Sequence, residues 1–179
     1  MRRRKILLGL TGSIACYVSA DLVNRLVEKG FDVTCAMTKE AAHFVQPLTF
    51  EVLSGHPVLV DMFASPQGEG PLHTTVAQTS DLVLIAPCTA NVIAKLAAGI
   101  ADDVLTCAVL ATRAKILICP AMNENMYQHP VTQENIEKLK KLGYRFLGPV
   151  KGHLTCKIEG IGHFAPVEAI VREVGKLLE

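Results

Sequence analysis

The sequence predicts an α/β fold: a doubly wound, Rossmann-like or flavodoxin-like parallel sheet with helices on both faces, as a single domain over residues 1–179. Three observations carry this prediction. Short apolar runs alternate with segments of helical period along the whole chain, which implies right-handed crossovers and a buried parallel sheet. Half of the residues are apolar, yet only 5% are aromatic and none is Trp. The core is therefore Ala, Val, Ile and Leu, the residues of helices packed on buried strands. Finally, 179 residues suit one domain of ordinary size, and no repeat, low-complexity tract or linker divides them.

The elements follow in order. Lys5–Leu10 is a compact apolar strand, closed by Thr11-Gly12-Ser13. Residues Ile14–Lys29 have helical period, and Gly30 stops that helix. Asp32–Met37 is the second strand. Lys39–Val45 and Pro47–Ser54 read as short helices. Phe63–Pro71 is rich in Gly, Pro and polar residues and reads as a mobile loop. Leu82–Ala86 is a strand stopped by Pro87. Ala90–Ala98 and Asp102–Ala111 are helices separated by Gly99. Lys115–Cys119 is a strand stopped by Pro120. Val131–Leu142 is a helix ending at Gly143, Tyr144–Leu147 a strand, Gly148–Gly162 a long irregular stretch, and Pro166–Leu178 a closing helix.

Eighteen Lys and Arg face 17 Asp and Glu, a net charge of +1. That balance opposes binding to nucleic acid by phosphate neutralisation. The apolar half opposes disorder. The basic Met1–Lys5 followed by Ile6–Leu10 imitates a secretory signal, but Gly9, Thr11, Gly12 and Ser13 interrupt it and an amphipathic helix follows. No stretch of about 18 uninterrupted apolar residues predicts a membrane span. The six cysteines have neither CxxC nor metal-finger spacing, so no metal site is expected. They read as reduced thiols of a cytoplasmic protein.

In open α/β sheets, ligands sit beyond the carboxyl ends of the strands. Four segments fall there. Gly9–Ala15 joins the first strand to the first helix; its small residues allow backbone N–H groups to approach a phosphate, and Ser13 adds a hydroxyl. Phosphate binding and plain helix capping both account for it. His73 is a candidate acid or base, although a lone His is more often a surface residue. Ala86–Asn91 follows a buried strand, with Thr89 and Asn91 able to bond a ligand or cap a helix. Pro120–Tyr127 follows another, displaying Asn123 and Met126. Cys156, in a Gly-bracketed loop, is a poor structural choice for a residue that prefers burial. Its thiol there could donate a proton or act as a nucleophile.

Taken together, these stretches resemble the flavin-dependent cysteine decarboxylases, in the same order over roughly Lys5 to Pro166. The PASANT segment of that family resembles Pro87-Cys-Thr-Ala-Asn-Val92, and its PxMNxxMW segment resembles Pro120-Ala-Met-Asn-Glu-Asn-Met-Tyr127, with Tyr for Trp. Its active-site His falls on His73. Its Cys-bearing, Gly-rich substrate clamp falls on Leu154–Phe164, and His153, Leu154 and Thr155 take substrate-binding positions. The resemblance implies FMN, with Gly12, Ser13 and Ile14 on its phosphate side, and Thr38, Thr89, Ala90, Asn91, Val92 and Ala121 as further cofactor contacts. It implies that Asn123 and Met126 bind substrate, that Asn123 holds the substrate carboxylate, and that Cys156 donates a proton. Three departures stand out. Lys157 replaces a clamp Gly, His163-Phe164 replace Arg-Met, and Cys88 replaces a small Ala or Leu.

The implied activity is decarboxylation of an acylated cysteine, 4'-phosphopantothenoylcysteine, to 4'-phosphopantetheine in coenzyme A biosynthesis. Direct loss of CO2 would leave a carbanion without an electron sink. Oxidation of CH2–SH to a thioaldehyde, with the flavin as hydride acceptor, lets decarboxylation yield a delocalised enethiolate. His73 is the implied base, and return of the hydride with a proton from Cys156 completes the saturated thiol. An enzyme of the lantibiotic type would act on a peptide C-terminal cysteine and stop at the enethiol. A non-catalytic flavin-binding regulatory subunit ranks last, because His73 and Cys156 are both present. Family members are trimers or assemblies of trimers, so a homotrimer or dodecamer is expected. That would bury part of an apolar surplus visible in the mean hydropathy of +0.32.

Overall fold

A computed structural model describes residues 2–63, 72–153 and 159–179. The strands β1 (Lys5–Leu10), β2 (Asp32–Met37), β3 (Leu82–Cys88), β4 (Lys115–Pro120) and β5 (Arg145–Phe146) form one parallel sheet in the order β2-β1-β3-β4-β5. This is the flavodoxin-like strand order. The helices are α1 (Ser19–Glu28), α2 (Pro47–Ser54), α3 (Leu72–Thr79), α4 (Ala90–Ala98), α5 (Val104–Ala111), α6 (Glu124–Gln128), α7 (Pro130–Lys141) and α8 (Val167–Leu178). A separate antiparallel pair, β6 (Val150–His153) and β7 (Glu159–His163), stands outside the sheet.

The central strands are apolar at consecutive positions because both faces are covered. Ile6, Leu8 and Leu10, with Leu82, Leu84 and Leu117, pack with Leu22 and Leu26 of α1, Phe50 of α2 and Ile170 and Val174 of α8. Leu7, Val83, Ile85 and Ile118 face the other way, against Ala77 of α3, Ile93 of α4, Leu105 of α5 and Ile136 and Leu139 of α7. Strand order reverses direction at β1 and β3, so a crevice is expected at their carboxyl ends. Because α3 runs back to the start of β3, its first turn, with His73, belongs to that same edge. Among the described residues, no helix is long and apolar enough to cross a membrane.

Several boundaries differ from the sequence expectation. The helix expected over Ile14–Lys29 is two pieces, a 3-10 turn at Ile14–Tyr17 and then α1. A single 3-10 turn and a single α turn have nearly the same apolar spacing. The expected helix Lys39–Val45 is only a 3-10 turn at Ala41–His43. Neither proline stops its strand: β3 and β4 pair again at Cys88 and Pro120, after a register irregularity that accommodates Pro87. The stretch Gly148–Gly162 is not irregular, since it contains β6 and β7. The helices α3 and α6 were not foreseen; α6 is one turn long and buries no residue, so it has no apolar stripe to betray it. Most of the loop expected at Phe63–Pro71 lies outside the described residues.

Candidate functional site

Thr11 organises the carboxyl edge. It is 0% exposed, and its hydroxyl donates to the Pro87 carbonyl at 2.8 Å while accepting from the Thr89 N–H at 3.0 Å. One side chain thus joins the turn after β1 to the turn after β3. Three backbone bonds extend the join. Thr38 N–H donates to Leu10 O, Ala121 N–H to Cys88 O, and Met122 N–H to Gly162 O. Ser19, also buried, donates to Ala86 O at 2.9 Å. Sequence reasoning missed Thr11 and Ser19. Their signal is a hydroxyl in an otherwise apolar, buried position, where a partner is obligatory.

On this frame the candidate cofactor residues come together. Ser13 caps the 3-10 turn through Ala15 N–H at 3.4 Å, and Thr89 caps α4 through Val92 N–H at 3.4 Å. Among the described residues, the backbone N–H groups of Gly12, Ile14, Ala90 and Asn91 have no acceptor. Free donors at two neighbouring N-terminal turns suit an anionic or carbonyl-rich ligand. Gly12 has no room for a side chain, because a Cβ there would stand 2.5 Å from that of Glu40. Thr38 is buried, and its hydroxyl accepts from Ala41 N–H at 3.3 Å. Val92 and Ala121 are buried, Ser13 and Ala90 partly so, and Asn91 and Ile14 are exposed. The Glu40 carboxyl lies below its usual range because its own backbone N–H bonds it, with the Thr38 hydroxyl and Lys95 adding to the effect.

The substrate candidates lie next door. Asn123 caps α6: its Oδ1 accepts from Asn125 N–H at 2.9 Å and from Met126 N–H at 3.4 Å. With the oxygen committed, the NH2 is the end left to bind a ligand. Met126 is 50% exposed, so its thioether is accessible to a ligand. His73 is half-buried on α3, and its Nδ1 is buried with no hydrogen-bond partner among the described residues. A buried ring nitrogen without a partner requires an explanation, and a ligand at this edge supplies one. Leu154, Thr155 and Cys156 lie outside the described residues, as does the side chain of His153. Of the clamp departures, Phe164 is in the core at 4% exposure, packed beneath α8. It therefore fills the interior rather than gripping a ligand.

The flavoprotein family model matches residues 1–179. The chain belongs to the flavoprotein family. Membership makes the cofactor a flavin, which the free amides and the orphaned His73 nitrogen fit. The "Coenzyme A biosynthesis bifunctional protein CoaBC" of Bacillus subtilis (strain 168) is 44% identical over 172 residues, 96% of this chain and 42% of that one. The flavoprotein chain thus spans about two fifths of the bifunctional relatives it matches. The "Probable phosphopantothenoylcysteine decarboxylase" of Streptococcus mutans is 39% identical over 177 residues, 98% of this chain and 99% of that one. Among solved structures, a cysteine-to-serine variant of PPC decarboxylase with pantothenoylaminoethenethiol superposes with a TM-score of 0.88 at 28% identity, covering 98% of both chains. The FMN-dependent cysteine decarboxylase SpaF does so at 0.84 and 30%, also covering 98% of both.

Proposed function

We propose that this flavoprotein is an FMN-dependent carboxy-lyase that converts 4'-phosphopantothenoylcysteine to 4'-phosphopantetheine in coenzyme A biosynthesis. The observation that carries the reading is Asn123. Its oxygen is consumed by capping α6, so a pair of amide donors is left beside the flavin turns to hold a substrate carboxylate. The full-length likeness to the Streptococcus mutans protein supports it.

Gly12, Ser13 and Ile14 would hold the FMN phosphate, and Thr89, Ala90 and Asn91 the ring side of the cofactor. When bound, FMN supplies a reversible hydride acceptor, the chemistry that no side chain provides. His73, with a ring nitrogen that has no partner among the described residues, takes the proton of the substrate thiol. Asn123 fixes the carboxylate until CO2 leaves. Met126 offers an exposed thioether and methylene surface that excludes water from the acyl portion of the substrate. Cys156 returns the proton in the last step.

The exposed apolar residues Tyr17 (65%), Phe44, Leu48 and Val52 (75%) support a homo-oligomer, a trimer or multiple of trimers, in which they are covered. The five described cysteines are free thiols, which supports a cytoplasmic setting.

The test is incubation of the purified yellow protein with 4'-phosphopantothenoylcysteine and measurement of product mass. Loss of CO2 alone fits the proposal. Loss of CO2 plus two hydrogens assigns the enethiol-forming, peptide-cysteine chemistry instead. A colourless protein that takes up no FMN ends both readings. Replacing Cys156 with Ser is expected to leave the flavin reduced after one turnover and to release the enethiol.

A further inference from the structure

The helix α6 carries the substrate candidates Asn123 and Met126, yet it buries none of its own residues. Only the half-buried Tyr127 packs against the core, so polar ties must fix the rest of the turn. Its first residue supplies the tie. The Glu124 carboxylate accepts from Ile161 N–H of β7 through Oε1 at 3.2 Å, and the same oxygen takes the Gln128 side-chain amide at 3.1 Å. Two residues earlier, Met122 N–H donates to Gly162 O at 3.0 Å. The segment Met122–Glu124 therefore lies along β7, bonded to it by one backbone and one carboxylate contact.

The glycines of β7 make this approach possible. A Cβ on Gly160 would stand 2.5 Å from Glu124 Oε2, and a Cβ on Gly162 would collide with Met122 O. The two glycines are two positions apart and meet the same segment, as alternate residues of a strand do. Gly162 has φ +145 and sits at the register irregularity between Val150 and Lys151 of β6. That extra residue bends the pair and brings its edge to α6. Glycine here serves a close contact.

We propose that Glu124 is a positioning residue, a carboxylate latch on Ile161 N–H that fixes where Asn123 and Met126 stand relative to the β6–β7 pair. It need not touch substrate. It sets the height and tilt of a helical turn whose packing on the core, among the described residues, is the half-buried Tyr127 alone. Charge-assisted bonds from a carboxylate to a backbone N–H are strong enough for this task. The inference rests on the decarboxylase reading in its kinetic arm only.

The test compares the flavin-loaded wild type with Glu124→Ala, Glu124→Gln and Gly160→Ala, by amide hydrogen exchange and by steady-state kinetics on 4'-phosphopantothenoylcysteine. Glu124→Ala is expected to speed exchange of the Ile161 amide about tenfold and to raise KM severalfold, with kcat and flavin content little changed. Glu124→Gln keeps an acceptor oxygen and should restore both values. Gly160→Ala, which displaces the carboxylate while Glu124 is retained, should reproduce the Ala variant. Wild-type exchange at Ile161 in Glu124→Ala overturns the latch. So does faster exchange with unchanged KM, or a Gln variant as loose as the Ala variant. If the wild type does not turn over this substrate, the decarboxylase reading fails, and the exchange data still decide whether the latch exists.

Discussion

The hydroxyl of Thr11 donates to the carbonyl of Pro87 at 2.8 Å, across 76 positions of sequence. The same oxygen accepts from Thr89 N–H. Two turns that would otherwise be independent loops are thereby made one surface. In Thr11→Val, which keeps shape and loses the hydroxyl, the Pro87 carbonyl and the Thr89 amide both lose their partner. The expected loss is about 2–3 kcal/mol of folding stability, together with weaker FMN retention. Urea midpoints and flavin fluorescence titration read both. An unchanged midpoint would show that water replaces the hydroxyl without cost.

His73 bears a buried ring nitrogen without a partner among the described residues. In His73→Asn the protein should stay yellow and folded, because Nδ1 makes no hydrogen bond to the described residues that could be lost. Anaerobic reduction of its flavin by substrate should slow by roughly 10²–10⁴-fold. Reduction at the wild-type rate removes His73 from the mechanism.

Asn123 combines capping and binding, and one substitution separates them. Aspartate caps a helix as well as asparagine does but has no NH2 to offer and repels a carboxylate. Asn123→Asp should therefore keep its thermal midpoint and raise KM by roughly 10–100-fold. A fall in the midpoint with normal KM would reverse the assignment.

Burial pushes the Cys16 and Cys35 thiols from the ordinary 9.0 up to about 12, and Cys88 and Cys119 further still. The folded state holds protons that the unfolded chain releases. Stability from these groups is complete below pH 9 and declines as pH rises from there towards 12. Urea midpoints measured across that window should fall, and a flat profile would show that the thiols are not desolvated. Of the five described cysteines, only the partly exposed Cys107 should react with a thiol reagent in the native protein.

Phe164 stands where the resembled family has Met. Because its side chain is in the core, Phe164→Met should lower stability by about 1 kcal/mol and leave KM unchanged. A shift in KM without a shift in the thermal midpoint would return this position to the substrate clamp.

The sheet was legible because its strands are short apolar runs with sharp ends; Lys5–Leu10 and Asp32–Met37 have the bounds read from the sequence. The candidate site was legible where small residues and caps follow such strands, as at Ser13 and Thr89. What escaped has a common physical cause. The helix α6 is held by a cap, a carboxylate and the single half-buried Tyr127, not by periodic burial. The β6–β7 pair is assembled from glycine and polar residues whose reason for being there is a neighbour 36 or more positions away. Thr11 looked like a turn residue because its partners, Pro87 and Thr89, are remote in sequence. Local patterns announce elements; contacts made across the fold leave no periodic trace.

The bonds from Leu10, Thr11, Cys88 and Gly162 to Thr38, Pro87, Thr89, Ala121 and Met122 close one rim across β1, β2, β3, β4 and β7. Such a rim does not come apart one loop at a time, because each turn is stitched to its neighbour. Opening of the rim requires several strand ends to part together, a sub-global event rather than a local one. Cofactor residence time and resistance to unfolding should therefore rise and fall together across variants, so that flavin retention during purification becomes a simple gauge of how well this edge of the protein is assembled.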